Sequence, residues 1–316
     1  MTRYADGSYR ISNSEIKTFK TCTRHWLLGY HFGFRKKRNP DEATGALSLG
    51  SAVHESLEAY YLRGENPVKW LNRLYEGRIN EAAQLGWFQS VQDEIAKEGD
   101  LAAIMVGGLL DWANETGMDD GMELIGVEKN LEAPIGDNVY IKGKLDQQWR
   151  RADGRVIFRD WKTCAGFREL DDGFLLNEQV KMYELLETLT TPDQITDGAQ
   201  FVMLKKVKRT KAAKPPFYRL VEVRPNREEI QSMFRRTKRS VEQIVQTDTM
   251  VSNDTSLECV QYACPPRPSR DCGWACPFFQ VCPLMDCGGN WSGLLNERFE
   301  QVNPDARYEE KEKTTK

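Results

Sequence analysis

Two adjacent segments in which apolar and polar residues alternate place the strongest constraint on how this chain folds. Residues 139–150 and 155–163 both alternate with a period of two. Such alternation predicts two strands, and the short connection between them predicts an antiparallel hairpin. The connecting loop, residues 152–154, ends in Gly154, and three-residue hairpin loops favour glycine at this left-handed position. This loop length fixes which residues face each other.

A pair of aspartates occupies facing positions in the predicted hairpin. Counting back from the loop sets Asp146 opposite Asp160, on one face of the sheet and about 5 Å apart. Lys162 lies two residues beyond Asp160 and therefore points to the same face. A two-residue loop would instead place the two aspartates on opposite faces.

Facing carboxylates repel each other, so the pair needs either solvent or a cation nearby. The residues alone leave two interpretations open, an exposed hairpin with a ladder of lysine and aspartate or a metal site. Mg²⁺ suits a site with few carboxylates that also expects substrate phosphate. In such a site Lys162 would orient and help deprotonate a water, or stabilise negative charge on phosphorus.

The rest of the chain combines helical and strand-like patterns. Apolar residues at helical spacing predict helices within residues 12–30, 50–61, 67–112, 175–188 and 227–247, with breaks in the third of these near Gly86 and Gly99. Further strands are predicted at 124–132, 201–207 and 217–223. The sequence therefore predicts an α/β fold in which a mainly antiparallel or mixed sheet is flanked by helices.

These patterns divide the chain into four regions. They are an N-terminal helical region (1–120), an α/β core (121–250), a cysteine-rich segment (251–304) and a charged tail (305–316). The tail has no apolar pattern, so we expect it to be flexible. The cysteine-rich segment has few regular elements, so we expect ligands rather than a core to hold it together.

Composition limits how this chain could bind nucleic acid. Lys and Arg number 44 and Asp and Glu number 47, which gives a net charge of −3, so a local basic patch would be needed. One run between the last two predicted strands holds seven basic residues and no acidic one: Lys205, Lys206, Lys208, Arg209, Lys211, Lys214 and Arg219. This run is either a solvated hairpin or a DNA-binding strip that contacts phosphates without reading bases.

The sequence gives no indication of export or of a membrane span. The N-terminus lacks the apolar segment of a secretory signal, and the longest apolar run, residues 102–110, is too short to cross a bilayer. We therefore expect a cytoplasmic protein with no membrane partner. In a reducing compartment, eight cysteines favour metal binding or catalysis over disulfides.

Four short motifs follow one another along the chain. They are Gly50-Ser-Ala-Val-His54, Gly143-Lys-Leu-Asp146, Arg159-Asp160-Trp161-Lys162-Thr163 and Gln179-Val-Lys-Met-Tyr183. In order and spacing they resemble the PD-(D/E)XK nuclease superfamily, in its RecB-like branch, over nearly the whole chain. Four ordered motifs are far more specific than the Asp-Trp-Lys triplet alone. The resemblance implies a restriction-endonuclease-like core with a mixed sheet flanked by helices.

The resemblance also implies which residues bind metal and which act on the substrate. Asp146 and Asp160 would bind a Mg²⁺ or Mn²⁺ ion, together with the carbonyl group of Trp161. His54 would reach the same ion from the preceding helix, and Lys162 would be the catalytic lysine.

Gln179 and Tyr183 lie four residues apart, which puts them on one face of a helix. By the resemblance, they line the catalytic site against the DNA backbone. Without the other motifs, the same two positions would be interpreted as a helix cap and a core tyrosine, and His54 as an ordinary helix histidine.

A cysteine near the N-terminus, Cys22, is matched by the C-terminal group Cys272, Cys276 and Cys282. This distribution resembles the iron–sulfur nucleases of the AddB type and the CRISPR-associated RecB-like exonucleases. The resemblance implies that these four thiolates bind a [4Fe–4S] cluster, which holds the two ends of the chain around the nuclease core. Zn²⁺ also accepts four thiolates, but zinc ribbons favour Cys-x2-Cys pairs, which this chain lacks.

The spacing of the C-terminal group departs from that family. Its first gap is three residues long, whereas two are common in those nucleases, so Cys264 and Cys287 are alternative ligands. When they are not ligands, Cys264 and Cys287 are predicted to be free buried thiols, as are Cys164 and Cys259.

Together these features predict a divalent-metal-dependent deoxyribonuclease. It would hydrolyse DNA phosphodiesters as an exonuclease on single-stranded or frayed ends, and a [4Fe–4S] cluster would stabilise it. Its partners would be proteins of recombination, repair, replication or CRISPR adaptation. The alternative is a non-cleaving subunit of a recombination or repair complex that binds DNA through an iron–sulfur or zinc site. The combination of Asp146, Asp160 and Lys162 favours the nuclease.

Overall fold

The fold, known from a computed structural model that describes residues 4, 6–37, 39–167 and 178–303, is mixed α/β. The helices are α1 (Asn13–Thr21), α2 (Thr23–Trp26), α3 (Ala46–Arg63), α4 (Pro67–Gln84), α5 (Gln89–Thr116), α6 (Glu178–Thr190), α7 (Arg227–Asn253), α8 (Leu257–Ala263), α9 (Cys272–Ala275), α10 (Cys282–Cys287) and α11 (Trp291–Arg298). The strands are β1 (Tyr9–Ser12), β2 (Phe34–Lys36), β3 (Met122–Gly136), β4 (Val139–Arg151), β5 (Val156–Cys164), β6 (Thr196–Lys205), β7 (Tyr218–Val223) and β8 (Phe299–Gln301). Within these described ranges, no helix is both long enough and apolar enough to cross a membrane.

The chain forms two compact units. A terminal unit contains Met1–Lys37, Asn130–Gly143 and Arg227–Lys316, and a central unit contains Arg38–Lys129 and Lys144–Asn226. The predicted charged tail, residues 305–316, lies outside the described residues, as do the first three residues of the helix predicted at 175–188.

The sheet of the central unit is mixed, as the sequence predicts. Strands β4 and β5 pair antiparallel, β5 and β6 pair parallel, and β6 and β7 pair antiparallel. Parallel pairing needs a crossover connection, and α6 lies in the one between β5 and β6. Helices α3, α4 and α5 share one apolar core with the sheet, which includes Leu49, Val53, Leu57, Leu71, Met105, Leu109, Trp161, Val202 and Leu204. The Phe158 ring faces away from this core and contacts the Tyr183 ring of α6 at 6.0 Å, so helices flank both faces.

The β4–β5 hairpin has the predicted register. Gln148 lies opposite Phe158, and the Arg151 amide donates to the Arg155 carbonyl at 2.8 Å around the loop. Gly154 closes the loop with φ of +85°, a conformation that side chains with a Cβ adopt rarely. The same register, extended by two residues, sets Asp146 opposite Asp160 on the face that α6 covers.

The terminal unit contains two strand pairings that the sequence patterns do not reveal. β1 pairs parallel with the first four residues of β4, and β2 pairs antiparallel with β8. These strands have three or four residues each, which is too short for alternation to identify them. Ser12 ends β1 and caps α1 by accepting from the Glu15 amide at 3.2 Å, so the predicted helix start is confirmed. The first third of the chain is therefore not wholly helical.

Helix α5 corrects the predicted break at Gly99. A break is present at Gly86, which has φ of +70°, but α5 continues through Gly99 to Thr116. A Cβ atom at position 99 would lie only 2.8 Å from Cγ of Tyr75, a buried residue of α4. This glycine therefore serves close packing of two helices, at some cost in helix propensity.

Gly99 and Gly77 offer a matched test of this packing. Gly99→Ala should lower the free energy of unfolding by about 1–3 kcal/mol, because the added methyl group overlaps the Tyr75 ring in a full core. Gly77→Ala, in helix α4, would meet no atom within 4 Å and should stabilise the protein by up to about 1 kcal/mol. Urea unfolding measures both changes. Shifts of the same sign and size in the two variants would contradict the close approach.

Candidate active site

The motif residues converge in the central unit from three elements. Strands β4 and β5 carry Asp146, Asp160, Trp161 and Lys162, helix α3 carries His54, and helix α6 carries Gln179 and Tyr183. Two hydrogen-bonded groups result, one around each aspartate.

The first group joins Asp146, His54 and Trp161. Oδ2 of Asp146 accepts from the backbone N–H of Trp161 at 3.1 Å and lies 3.1 Å from Nδ1 of His54. The other imidazole nitrogen, Nε2, lies 2.7 Å from the Trp161 carbonyl oxygen. A protonated imidazole donates at both nitrogens and therefore satisfies both oxygen acceptors.

The second group joins Asp160, Lys162, Gln179 and Tyr183. Lys162 Nζ lies 2.5 Å from Oδ2 of Asp160 and donates to Oε1 of Gln179 at 3.2 Å. Nε2 of Gln179 donates to Oδ1 of Asp160 at 2.8 Å and contacts the Tyr183 hydroxyl oxygen at 2.5 Å. The Tyr183 hydroxyl in turn donates to the Lys144 carbonyl oxygen at 3.3 Å. The amide of Gln179 thus holds the lysine and the carboxylate in a fixed relation.

Burial and mutual repulsion make the two aspartates differ in acidity. Asp160 is almost fully buried, and burial together with the charge of Asp146 raises its pKa above the ordinary value. Burial acts on Asp146 in the same direction, but His54, Lys162 and the Trp161 amide outweigh it and lower the pKa of Asp146. The pair therefore accommodates one charge more readily than two.

The pKa of His54 depends on both carboxylates. Burial opposes its protonation, but the charges of Asp146 and Asp160 and the hydrogen bond to Asp146 outweigh burial and raise the pKa of His54 to about 9. Near neutral pH, its imidazolium therefore compensates the acidic pair.

The donor set suits a hard divalent cation. It consists of carboxylate oxygens, a backbone carbonyl and an imidazole. Within the part of the chain that the structure describes, Oδ2 of buried Asp160 accepts no hydrogen bond and forms an ion pair with Lys162. Among the described residues, no three His, Cys, Asp or Glu side chains already converge on a point that could hold a metal ion. His54 and Lys162 engage the carboxylates instead. A metal ion would therefore have to compete with these two cations.

One further acidic residue, Glu128 of β3, lies near this group and was missed by the sequence patterns. Its carboxylate pairs with the ammonium group of Lys144, and burial and the charge of Asp146 raise its pKa. Its backbone has φ of +52°, which is unusual for a residue with a side chain. Within an alternating strand, no sequence signal distinguishes this glutamate from the others.

The basic run lies between β6 and β7, in the same unit. Lys208 and Lys211 are exposed, whereas Lys205 and Lys206 are partly buried at the end of β6. Arg209 is anchored, because Nη2 donates to the Tyr218 hydroxyl at 2.7 Å and its guanidinium lies 3.7 Å from the Phe217 ring centroid. Exposed lysines are therefore available for phosphate contacts, and Arg209 is partly committed to holding the segment.

The four cysteines predicted to bind a cluster all lie in the terminal unit, but among the described residues they do not form a group that could already hold a metal ion. Cys22 lies between α1 and α2, Cys272 begins α9, Cys276 follows α9, and Cys282 begins α10. All are free thiols of intermediate exposure. Burial raises the pKa of Cys276, and the charges of Cys22, Cys272 and Cys282 act in the same direction.

Backbone hydrogen-bond donors lie beside two of these sulfurs. The Ser269 amide donates to Sγ of Cys272 at 3.3 Å, and the Phe278 amide hydrogen bonds to Cys276 and lowers its pKa. Burial raises the pKa of Cys282 and the charge of Arg24 opposes this shift, while Nη1 of Arg24 donates to the Cys282 carbonyl oxygen at 3.4 Å. Backbone donors to sulfur favour thiolates and are typical of the surroundings of iron–sulfur clusters.

The other four cysteines differ in exposure. Cys164 and Cys264 are buried, as predicted for free thiols, and burial raises the pKa of Cys264 to about 12. Cys259 is partly buried. The prediction of a buried thiol is wrong for Cys287, which is exposed because it is the last residue of α10, just before the chain turns at Gly288.

Two facing aspartates with a lysine on one face of a mixed sheet are suited to metal-dependent hydrolysis of phosphodiesters. The family model of the PD-(D/E)XK nuclease superfamily matches residues 10–283. This match covers most of the chain, so the chain belongs to the PD-(D/E)XK nuclease superfamily and is a metal-dependent nuclease. No curated protein matches the chain.

Two solved structures resemble parts of this fold. One, from Eubacterium rectale and described provisionally as an exonuclease, is 11% identical with a TM-score of 0.46, over 76% of this chain and 81% of that one. The other, SSO0001, is 17% identical with a TM-score of 0.29, over 74% of this chain and 95% of that one. These scores are too low to bear on function.

The pKa of His54 makes stability dependent on pH. It rises from an ordinary 6.5 to about 9 in the folded protein, so with chelator the stabilisation is complete below pH 6.5 and is lost as pH rises toward 9. The wild-type Tm should fall over this window more steeply than that of His54→Gln. A metal bound by His54 needs the neutral ring, so the gain in Tm from Mg²⁺ should grow over the same window. Identical pH slopes for the two proteins would contradict this role.

Proposed function

We propose that the central unit hydrolyses DNA phosphodiesters with Mg²⁺ or Mn²⁺, as an exonuclease on single-stranded or frayed ends. The observation that carries this proposal is the placement of Asp146, Asp160 and Lys162 on one sheet face beneath Gln179. The alternative, a subunit that binds DNA without cutting it, would have no need for this combination.

The acidic pair would hold the metal ion. Asp146 and Asp160 would bind it together with the Trp161 carbonyl and the neutral imidazole of His54. When bound, such an ion supplies Lewis-acid polarisation of the phosphate and makes a water more acidic. His54 and Lys162 now engage the carboxylates, so metal binding would release Lys162 from Asp160 and would turn His54 from a counter-ion into a ligand.

Lys162 would then act on the reacting groups. Water adds to phosphorus and loses a proton to solvent as the ester P–O bond breaks, and the departing oxygen takes up a proton from solvent. The ammonium group of Lys162 would orient the water and stabilise negative charge on the phosphoryl oxygens. Gln179 keeps Lys162 in place through the 3.2 Å hydrogen bond, and Tyr183 in turn contacts Gln179.

The basic run would bind the DNA backbone. Lysines such as Lys208 and Lys211 contact phosphates and carry no information about bases, which suits an enzyme that recognises ends or unpaired strands rather than a sequence. Lys205, Lys206 and Arg209 would contribute less directly, because they are partly buried.

In the terminal unit, Cys22, Cys272, Cys276 and Cys282 would hold a [4Fe–4S] cluster. In support of this proposal, all four thiols lie in the terminal unit, and Cys272 and Cys276 receive backbone N–H donors. The role we propose is structural, because Cys22 and Cys272 are 250 residues apart in the sequence. Zn²⁺ is the competing occupant.

Lys162→Ala should abolish most cleavage while leaving the fold intact. We expect kcat to fall by about 100- to 10,000-fold on end-labelled single-stranded DNA with Mg²⁺ or Mn²⁺, because the lysine acts in the transition state. Lys69→Ala, at an exposed position of α4 in the same unit, is the matched control and should cleave normally. Near-normal turnover by Lys162→Ala would remove this residue from the site.

Cys22→Ser and Cys276→Ser should each lose the visible absorption and the iron of the protein purified without oxygen, and should melt at a lower temperature. Their side chains are shared at one cluster although they are far apart in sequence. Cys287→Ser, at an exposed cysteine, should keep both iron and colour. A colourless wild type that contains zinc would contradict the cluster, and full colour in Cys22→Ser would contradict the ligand set.

A further inference from the structure

Helix α7 (Arg227–Asn253), in the terminal unit, has one buried face and one charged face. Its buried residues recur at helical spacing along one side: Met233, Thr237, Ser240, Val241, Ile244, Asp248 and Val251. Four exposed cations in the middle of the helix occupy the opposite side: Arg235, Arg236, Lys238 and Arg239. No acidic residue lies between Glu229 and Glu242, so this part of the face carries positive charge only.

Three of these cations have no counter-ion. Over the described ranges of the chain, Arg235, Lys238 and Arg239 form no ion pair. Exposed arginines on other elements are paired, since Arg73 and Arg150 each contact a glutamate, at 2.8 and 2.7 Å. Like charges three or four residues apart repel each other along a helix. A bound anion would relieve this repulsion.

The charged face lacks the apolar anchors of a protein interface. The other residues that helical spacing puts on this side are polar: Gln231, Ser232 and Gln243. Among the residues that the structure describes, the large apolar side chains that are exposed include none on α7. Protein interfaces depend on such anchors, whereas contacts with a nucleic-acid backbone depend on charge. The face therefore favours a phosphate backbone over an acidic protein.

We propose that this face of α7, formed by Arg235, Lys238 and Arg239, is a second DNA-binding surface that contacts phosphates without reading bases. The inference rests on the proposed function for the identity of the polyanion. The surface is separate from the basic run between β6 and β7, which belongs to the central unit. A chain with a net charge of −3 depends on such local patches to bind DNA.

The spacing of the cations suits a strand backbone. Arg235 and Arg239 lie about one helical turn apart, roughly 6 Å along the axis, so they can contact different phosphates of one strand. Arg236 contributes less directly, because its Nη2 hydrogen bonds to Sδ of Met233 at 3.7 Å.

The test is the affinity of the full-length protein for fluorescently labelled single-stranded DNA, measured by anisotropy with chelator present so that no cleavage occurs. Arg235→Gln/Arg239→Gln removes two charges from α7. Each phosphate contact with a single strand contributes about fivefold in affinity at about 0.1 M salt, so this variant should bind about 25-fold more weakly than the wild type. Its plot of log affinity against log salt should also be shallower by about 1.4.

The matched control is Lys69→Gln/Lys97→Gln, at exposed positions of α4 and α5 in the central unit. It lowers the net charge by the same amount, and should change affinity and salt slope much less. In urea unfolding, Arg235→Gln/Arg239→Gln should be at least as stable as the wild type, because it relieves repulsion. Weaker DNA binding would then not result from unfolding.

An α7 variant that binds DNA as tightly as the control, with the wild-type salt slope, would overturn the inference. If that variant keeps its DNA affinity but loses binding to poly-glutamate, the face belongs to an acidic protein instead. Failure of the proposed function has a different signature. A wild type that needs α7 to bind DNA but cleaves none with Mg²⁺ or Mn²⁺ would refute the proposed hydrolysis and support this surface.

Discussion

The repulsion between Asp146 and Asp160 is the interaction on which the rest of the central unit depends. Two unit charges about 5 Å apart, at an effective dielectric constant near 20, repel by about 3 kcal/mol. A fold with so small a net stability must relieve this cost. The protein relieves it by protonation, since burial and Asp146 favour the neutral form of Asp160, and by cations, since His54 and Lys162 lie against the two carboxylates. The same arrangement leaves carboxylate oxygens of Asp146 and Asp160 available to a divalent cation, which would replace the weaker contacts with His54 and Lys162.

The relief depends on tertiary structure, because each compensating group comes from a different element. His54 is on α3, which is held to the sheet by the apolar core around Leu57 and Trp161. Gln179 is on α6, in the crossover that the parallel pairing of β5 and β6 requires. The helices thus bring polar groups to the sheet face as a consequence of burying their apolar ones. A packing defect, such as the methyl group added by Gly99→Ala, should therefore lower the free energy of unfolding. It should affect the site only through that loss of stability.

Local patterns in the sequence were sufficient for the hairpin. Alternation and a three-residue loop fixed the offset of β4 against β5, so the meeting of Asp146 with Asp160 was predictable. Contacts between distant segments were not. The short strand β1, the fit of Gly99 against Tyr75 and the position of Glu128 depend on which surfaces meet in space. The exposure of Cys287 was likewise mispredicted, because a cysteine at the end of a short helix can face either way.

The two proposed metal sites solve the same electrostatic problem differently. Around the aspartates the compensating cations are a lysine and a histidine, and both are partly exposed, with 32% and 31% of the side chain accessible. Such groups can give way to a metal ion, after which Lys162 would contact substrate and neutral His54 would bind the ion. In the terminal unit, a cation close to one of the proposed cluster ligands is Arg24, whose side chain is almost fully buried and donates to the Cys282 carbonyl oxygen. Arg24 cannot move away without leaving its charge unpaired, so it suits a metal centre that remains bound. The exposure of the compensating cation therefore distinguishes the two proposed sites. The cations of the aspartate site are accessible enough to exchange with a metal ion, whereas the buried cation near the cysteines suits a metal centre that stays bound.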